Sequence, residues 1–113
     1  MAWSYNPAQL GTSTEAERIN SVRLLLGDTD TSDQQVQNEE IVFGLGQTSD
    51  NIYYAAAWSA RVVSAKYSRK VTTSLDGALK ADYSDLASHY SSLAETLEYQ
   101  GKKAGGGFGV KAG

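Results

Sequence analysis

The residues closest to a chemical motif lie in GDTDTSDQQVQNEE, positions 27–40. Asp28, Asp30, Ser32 and Glu39 stand at positions 1, 3, 5 and 12 of a calcium-binding EF-hand loop, which wraps oxygen ligands around a hard cation. Two shaping positions count against that reading. Position 6 of such a loop is glycine, because the chain turns sharply there, and here it is Asp33. Position 8 is usually an aliphatic residue that ties the loop to the core, and here it is Gln35. The stretch is expected to be an acidic connection between two helices, with a calcium-binding helix pair as the lesser alternative.

Other reactive groups are sparse. His89, the single histidine, sits between Ser88 and Tyr90, one position off an apolar line, and is expected to face solvent or a neighbouring subunit. Adjacent carboxylates such as Glu39 and Glu40 point about 100° apart on a helix, so they cannot converge as an acid and base pair. GGGFG, positions 105–109, lacks the following Lys-Ser/Thr and the strand and helix context of a phosphate loop, and GKK before it is in the wrong order. With no cysteine, disulfides, thiolate metal sites and cysteine nucleophiles are excluded. The expectation is a non-enzymatic protein without cofactor or metal.

Composition bounds the class of protein. A chain of 113 residues is one domain that buries about two thirds of its unfolded surface. One proline, and abundant alanine, leucine and serine, favour helices. A formal net charge of −3 opposes binding driven by nucleic-acid phosphates. No apolar run approaches the ~20 residues of a membrane span, and MAWSYNPAQLG lacks the basic and apolar regions of a signal peptide. The chain is therefore expected to be made in the cytoplasm.

Residues 1–13 form a polar N-terminal arm whose aromatics, Trp3 and Tyr5, either dock or lie loose. Thr14-x-x-Glu17 is a capping box opening a first helix, with Ile19, Val22, Leu25 and Leu26 on its apolar face and Gly27 as C-cap. Arg18 and Arg23 are placed off that face, as solvated or inter-subunit charges. Asn38 is expected to cap a short second helix, NEEIVFGLGQ, shortened by Gly44 and Gly46. Ser49 or Asp50 should cap a long third helix, SDNIYYAAAWSARVVSAKYSRK, whose apolar residues cover more than one stripe. Trp58 is its large anchor, either inside the monomer or on an inter-subunit face with Tyr53 and Arg61.

VTTSLDGALKAD, residues 71–82, combines β-branched residues with an Asp-Gly turn and predicts an extended crossing. A fourth helix should follow, capped by Asp82, with a seam at Tyr83, Leu86, Tyr90, Leu93 and Leu97. Residues 101–113, GKKAGGGFGVKAG, hold six glycines and three lysines, a composition that predicts an extended docking tail. The fold class is thus all-α: a small four-helix bundle-like subunit with a long central helix, a helical domain at 14–100, and extended N- and C-terminal arms.

Taken together, SVRLLLGDTD, NEEIVFGL, NIYYAAAWSARVVSAKYS and DYSDLASHYSSLAETLE resemble the head-tail connector (adaptor) proteins of tailed bacteriophages. The likeness covers residues 14–100 and rests on order and spacing: Arg-Leu-Leu-Leu-Gly-Asp at 23–28, Glu-Glu-Ile at 39–41 and Asn-x-Tyr-x-Ala-Ala-Ala at 51–57. The resemblance implies a virion neck protein that forms a homo-oligomeric ring, commonly of twelve, beneath the portal. The next neck or tail component, a stopper or tail terminator, binds below, and double-stranded DNA passes through without specific binding. It also implies a C-terminal segment that reaches the portal, here with Lys102, Lys103, Phe108, Val110 and Lys111. Asp28, Asp30 and Asp33 are the expected acidic rim or channel residues. The competing reading is a helical protein–protein interaction module that pairs its fourth helix with a partner.

Overall fold

The structure, a computed structural model, describes residues 2–10 and 14–112, with side chains described through Lys103. A short 3-10 turn, Pro7–Gln9, precedes four helices: α1 Glu15–Leu26, α2 Asn38–Gln47, α3 Ile52–Thr73 and α4 Gly77–Ala112. No strand occurs among the described residues, so the chain is all-α and bundle-like.

Local chemistry explains the helix ends. Thr14 Oγ1 accepts the Glu17 N–H at 3.1 Å, the expected start of α1. Gly27 ends the helix at φ +82°, a left-handed conformation open to glycine without steric cost. The Gly27 and Asp28 N–H groups then donate to the carbonyls of Leu24 and Arg23, a Schellman closure. Gln37, rather than Asn38, caps α2, because Glu40 accepts the Gln37 N–H and frees the Asn38 amide for other partners. Ser49 and Asp50 do not cap α3 either: both adopt positive φ in the turn after α2, and Asn51 Oδ1 accepts the Tyr54 N–H.

The predicted crossing at 71–82 is helical at both ends. Val71, Thr72 and Thr73 close α3, where the two threonine hydroxyls donate to carbonyls of its last turn. Those bonds turn the threonine hydroxyls back onto the preceding turn of the helix, which lets both residues sit in α3 despite their β-branching. Asp76 Oδ1, not Asp82, accepts the N–H groups of Ala78 and Leu79, so only residues 74–76 join the helices. The expected extended C-terminal arm is likewise helical, since α4 runs on to Ala112. Gly101, expected to begin the arm, is buried against the Tyr53 and Tyr54 side chains, and an established helix gains one bond for each added residue.

α3 is the centre of the molecule. α4 packs along one side of it, α1 and α2 along the other, and α1 touches α2 only lightly. Ala55, Ala56, Ala57 and Ala60 are all buried, so their small side chains let helices approach α3 from both sides. The breadth of the apolar surface on α3 is thus covered within one chain, and needs no ring neighbour. On α4 the buried line runs Tyr83, Ala87, Tyr90, Ala94, Leu97 and Gly101, spaced alternately by four and three; Tyr83 is the half-buried member. Leu86, expected in this seam, sits on its exposed shoulder. Tyr67 of α3 stacks between Tyr83 and Tyr90 at centroid distances of 5.9 and 6.1 Å.

Candidate functional site

Arg23 and Asp28 make the most concentrated polar site of the protein, at 0% and 1% exposure. Both predictions for them fail. Arg23 was expected at the surface or between subunits, yet it lies four residues after Ile19 and three before Leu26, on the buried side of α1. Asp28 was expected on an acidic rim, yet the Schellman turn carries it back beneath the helix end.

The guanidinium is held on every side. Its Nη1 donates to Asp28 Oδ2 at 2.5 Å and to the Val36 carbonyl at 2.9 Å. Nη2 donates to Asn38 Oδ1 at 2.7 Å, and Nε to the Ser4 carbonyl at 2.8 Å. The Trp3 ring covers its face at 4.7 Å. Burial pushes the Arg23 pKa below its ordinary value, and the charge and hydrogen bond of Asp28 oppose that push. Arginine nevertheless stays charged, so the pair is a true buried ion pair.

The carboxylate of Asp28 is equally committed. Oδ1 accepts from Trp3 Nε1 at 3.2 Å and from the Gln35 N–H at 3.0 Å, while Oδ2 also accepts from the Val36 N–H at 3.1 Å. The oxygen that would be the first ligand of a calcium loop is therefore occupied by protein donors. Glu39, the position-12 ligand of that loop, faces the arm instead: it accepts the Ala2 N–H at 2.9 Å. That hydrogen bond holds the Glu39 pKa below its ordinary value. Asp30 and Asp33 are exposed and shape their own turn, with Asp30 accepting the Ser32 N–H and Asp33 the Gln35 side-chain amide. Among the described residues no cluster of three or more acidic or imidazole groups could hold a metal ion.

The N-terminal arm is docked over this pair. The Asn38 N–H donates to the Ala2 carbonyl at 2.6 Å, the Asn38 amide donates to Ser4 Oγ at 3.0 Å, and the Asn6 N–H donates to the buried Asn20 side chain at 2.7 Å. Asn38, freed from capping, thus joins arm, arginine and α2. Trp3 supplied the sequence signal for docking; its partner was hidden by the misplacement of Arg23.

The remaining predicted residues do not converge. Arg18 lies 3.7 Å from Asp50, and exposed Arg61 pairs with Glu98 of α4, which raises the Arg61 pKa. Tyr53 is half-buried against Gly101. Trp58 is half-buried too, with Phe43 at 5.6 Å and Gly44 beneath its ring. Lys102 and Lys103 are exposed on α4, whereas the side chains of Phe108, Val110 and Lys111 lie outside the described residues. His89 is exposed, edge-on to Tyr90 at 5.0 Å.

Two surface features escaped the sequence reading. A shallow open groove between α3 and α4 is lined by Ser64, Ser68, Ser84, Ser88 and Ser91. Large apolar groups are exposed singly at Leu24 on α1 and Tyr99 on α4, and together in two places, Val42 and Phe43 on α2, and Leu75 and Leu79 at the end of the α3–α4 hairpin, with Leu86 two turns further along α4. No family model matches the chain, and no curated protein or solved structure matches it significantly.

Proposed function

We propose that this chain is a structural, non-enzymatic subunit of a bacteriophage neck. In this reading it is a head-tail adaptor that forms a ring, twelve copies being the usual number, beneath the portal. It joins the DNA-filled head to a stopper or tail terminator below, and DNA crosses its channel during ejection without specific binding. The observation that carries the reading is the pair of apolar faces on different elements, α2 and the hairpin end. A subunit with two unlike sticky faces associates head to tail, and head-to-tail contacts close into rings when the rotation permits. The sequence resemblance over residues 14–100 supplies the neck context.

Native mass spectrometry and negative-stain imaging of the purified protein, alone and with its proposed portal partner, test this. An annulus supports the proposal. A subunit that stays monomeric beside its portal defeats it. One observation favours the second reading, a module that binds a partner helix: Leu79 and Leu86, seven residues apart, form an exposed stripe on α4. That module would remain a monomer or dimer in the same measurement.

A further inference from the structure

The two apolar faces differ in charge as well as position. On α2 the outward residues Glu39, Val42, Phe43 and Gly46 follow at spacings of three, one and three, a single helical stripe. Phe43 is 57% exposed, and the helix NEEIVFGLGQ contains no basic residue. Its charged groups are Glu39 and Glu40, while Asp50 just beyond its end is answered by Arg18 at 3.7 Å.

The hairpin end has the opposite character. Leu75 is fully exposed between α3 and α4, and Leu79 is 43% exposed one helical turn on. Arg69, Lys70 and Lys80 are exposed around them. Two acids lie nearby, Asp76, which caps α4 through the Ala78 and Leu79 N–H groups, and exposed Asp82, so the three basic residues outnumber the acids by one. A basic apolar tip and an acidic apolar stripe are complementary surfaces on one molecule.

We infer that the α3–α4 hairpin end of one copy docks on the outer face of α2 in the next copy. Leu75 and Leu79 cover Val42 and Phe43, and the basic residues of the tip lie towards Glu39. The inference rests on the ring reading above, to which it adds the contact. It assigns the interface to two surfaces neither of which pairs with itself, so a symmetric dimer is not the product.

The absence of cysteine makes the test clean. Leu75→Cys and Phe43→Cys variants are mixed in equal amounts and treated with a short bismaleimide; Val42→Cys repeats the test where loss of Phe43 disturbs Trp58. The 75–43 mixed dimer is expected to exceed either homodimer by on the order of tenfold, against about twofold for unselective collision. A statistical mixture, or homodimers in excess, overturns the contact. Carrying both cysteines on one chain then separates contact from ring. A crosslinked ladder ending in a closed species supports both, and a ladder that grows without closing keeps the contact and sinks the ring. Annuli from the unmodified chain together with a statistical mixture would sink the contact alone.

Discussion

Arg23 and Asp28 are joined twice across one helix end: the Asp28 N–H donates to the Arg23 carbonyl at 3.0 Å, and Arg23 Nη1 donates to the Asp28 carboxylate at 2.5 Å. Main chain and side chain thus fix the same turn. Removing one charge leaves the other buried without its partner, which costs about 3–5 kcal/mol. Asp28→Asn and Arg23→Met should each lower the free energy of unfolding by that amount, read from denaturant titrations. The double variant should lose less than the sum, by about 1–3 kcal/mol of coupling. Additive losses would show that the pair is not a unit.

Trp3 completes the shell of both charged groups, through its N–H on Asp28 and its ring over Arg23. A hydrogen bond to a charged group and a cation–π contact together are worth about 2 kcal/mol. Trp3→Ala should therefore reduce stability by that amount and speed proteolysis within residues 2–10. Trp3→Phe, which keeps a ring but no N–H, should fall between. Unchanged cleavage in Trp3→Ala would mean that the arm is held by its backbone bonds alone.

Gly44 and Gly46, two residues apart on α2, should respond in opposite directions. A Cβ at Gly44 would lie 2.6 Å from Trp58 Cε3, whereas at Gly46 it would meet nothing within 4 Å. Alanine improves helix propensity by about 1 kcal/mol over glycine, so Gly46→Ala should stabilise by up to that much. Gly44→Ala must shift the indole and should destabilise by about 1–3 kcal/mol, with a change in Trp58 emission. Equal effects at both sites would remove the steric role assigned to Gly44.

The Glu39 carboxylate has its pKa lowered in the folded state, first by the Ala2 N–H that it accepts. A lowered carboxylate pKa adds stability above its unfolded value, near 4.3, and that stability is lost as pH falls through the folded value. Melting temperatures of the native chain and Glu39→Gln should differ above about pH 5 and converge as the carboxylate is protonated. A difference that persists in strong acid would point to a cause other than this hydrogen bond.

Much of the fold was legible in the sequence because its signals are local. Thr14, Gly27 and the spacing of Val22 and Leu26 each act within a turn or two of the chain, and the structure keeps all of them. Errors arose where a specific side-chain partner, near or far in the chain, outweighed a residue's average preference. Asn38 is a good cap in isolation, but Arg23 and Ser4 take its side chain. Thr72 and Thr73 favour strands, but their hydroxyls finish α3. The buried ion pair was concealed for the same reason: charge suggested solvent, while the positions of Ile19 and Leu26 already placed Arg23 inward.

The layering around α3 has a mechanical consequence. Because α4 packs on α3, and α1 and α2 pack on its other side, a pull on α4 passes to the rest of the subunit through that one seam. Ala87, Ala94 and Gly101 bring the helices close, while Tyr67 set between Tyr83 and Tyr90, the Ser64 hydroxyl donating to the Ala87 carbonyl and the exposed Arg61–Glu98 pair lock them against sliding. Under tension α4 should come away from α3 as a unit, by peeling and not by sliding, while the turn held by Arg23, Asp28 and Trp3 stays whole, making the molecule a stiff block with one detachable rail.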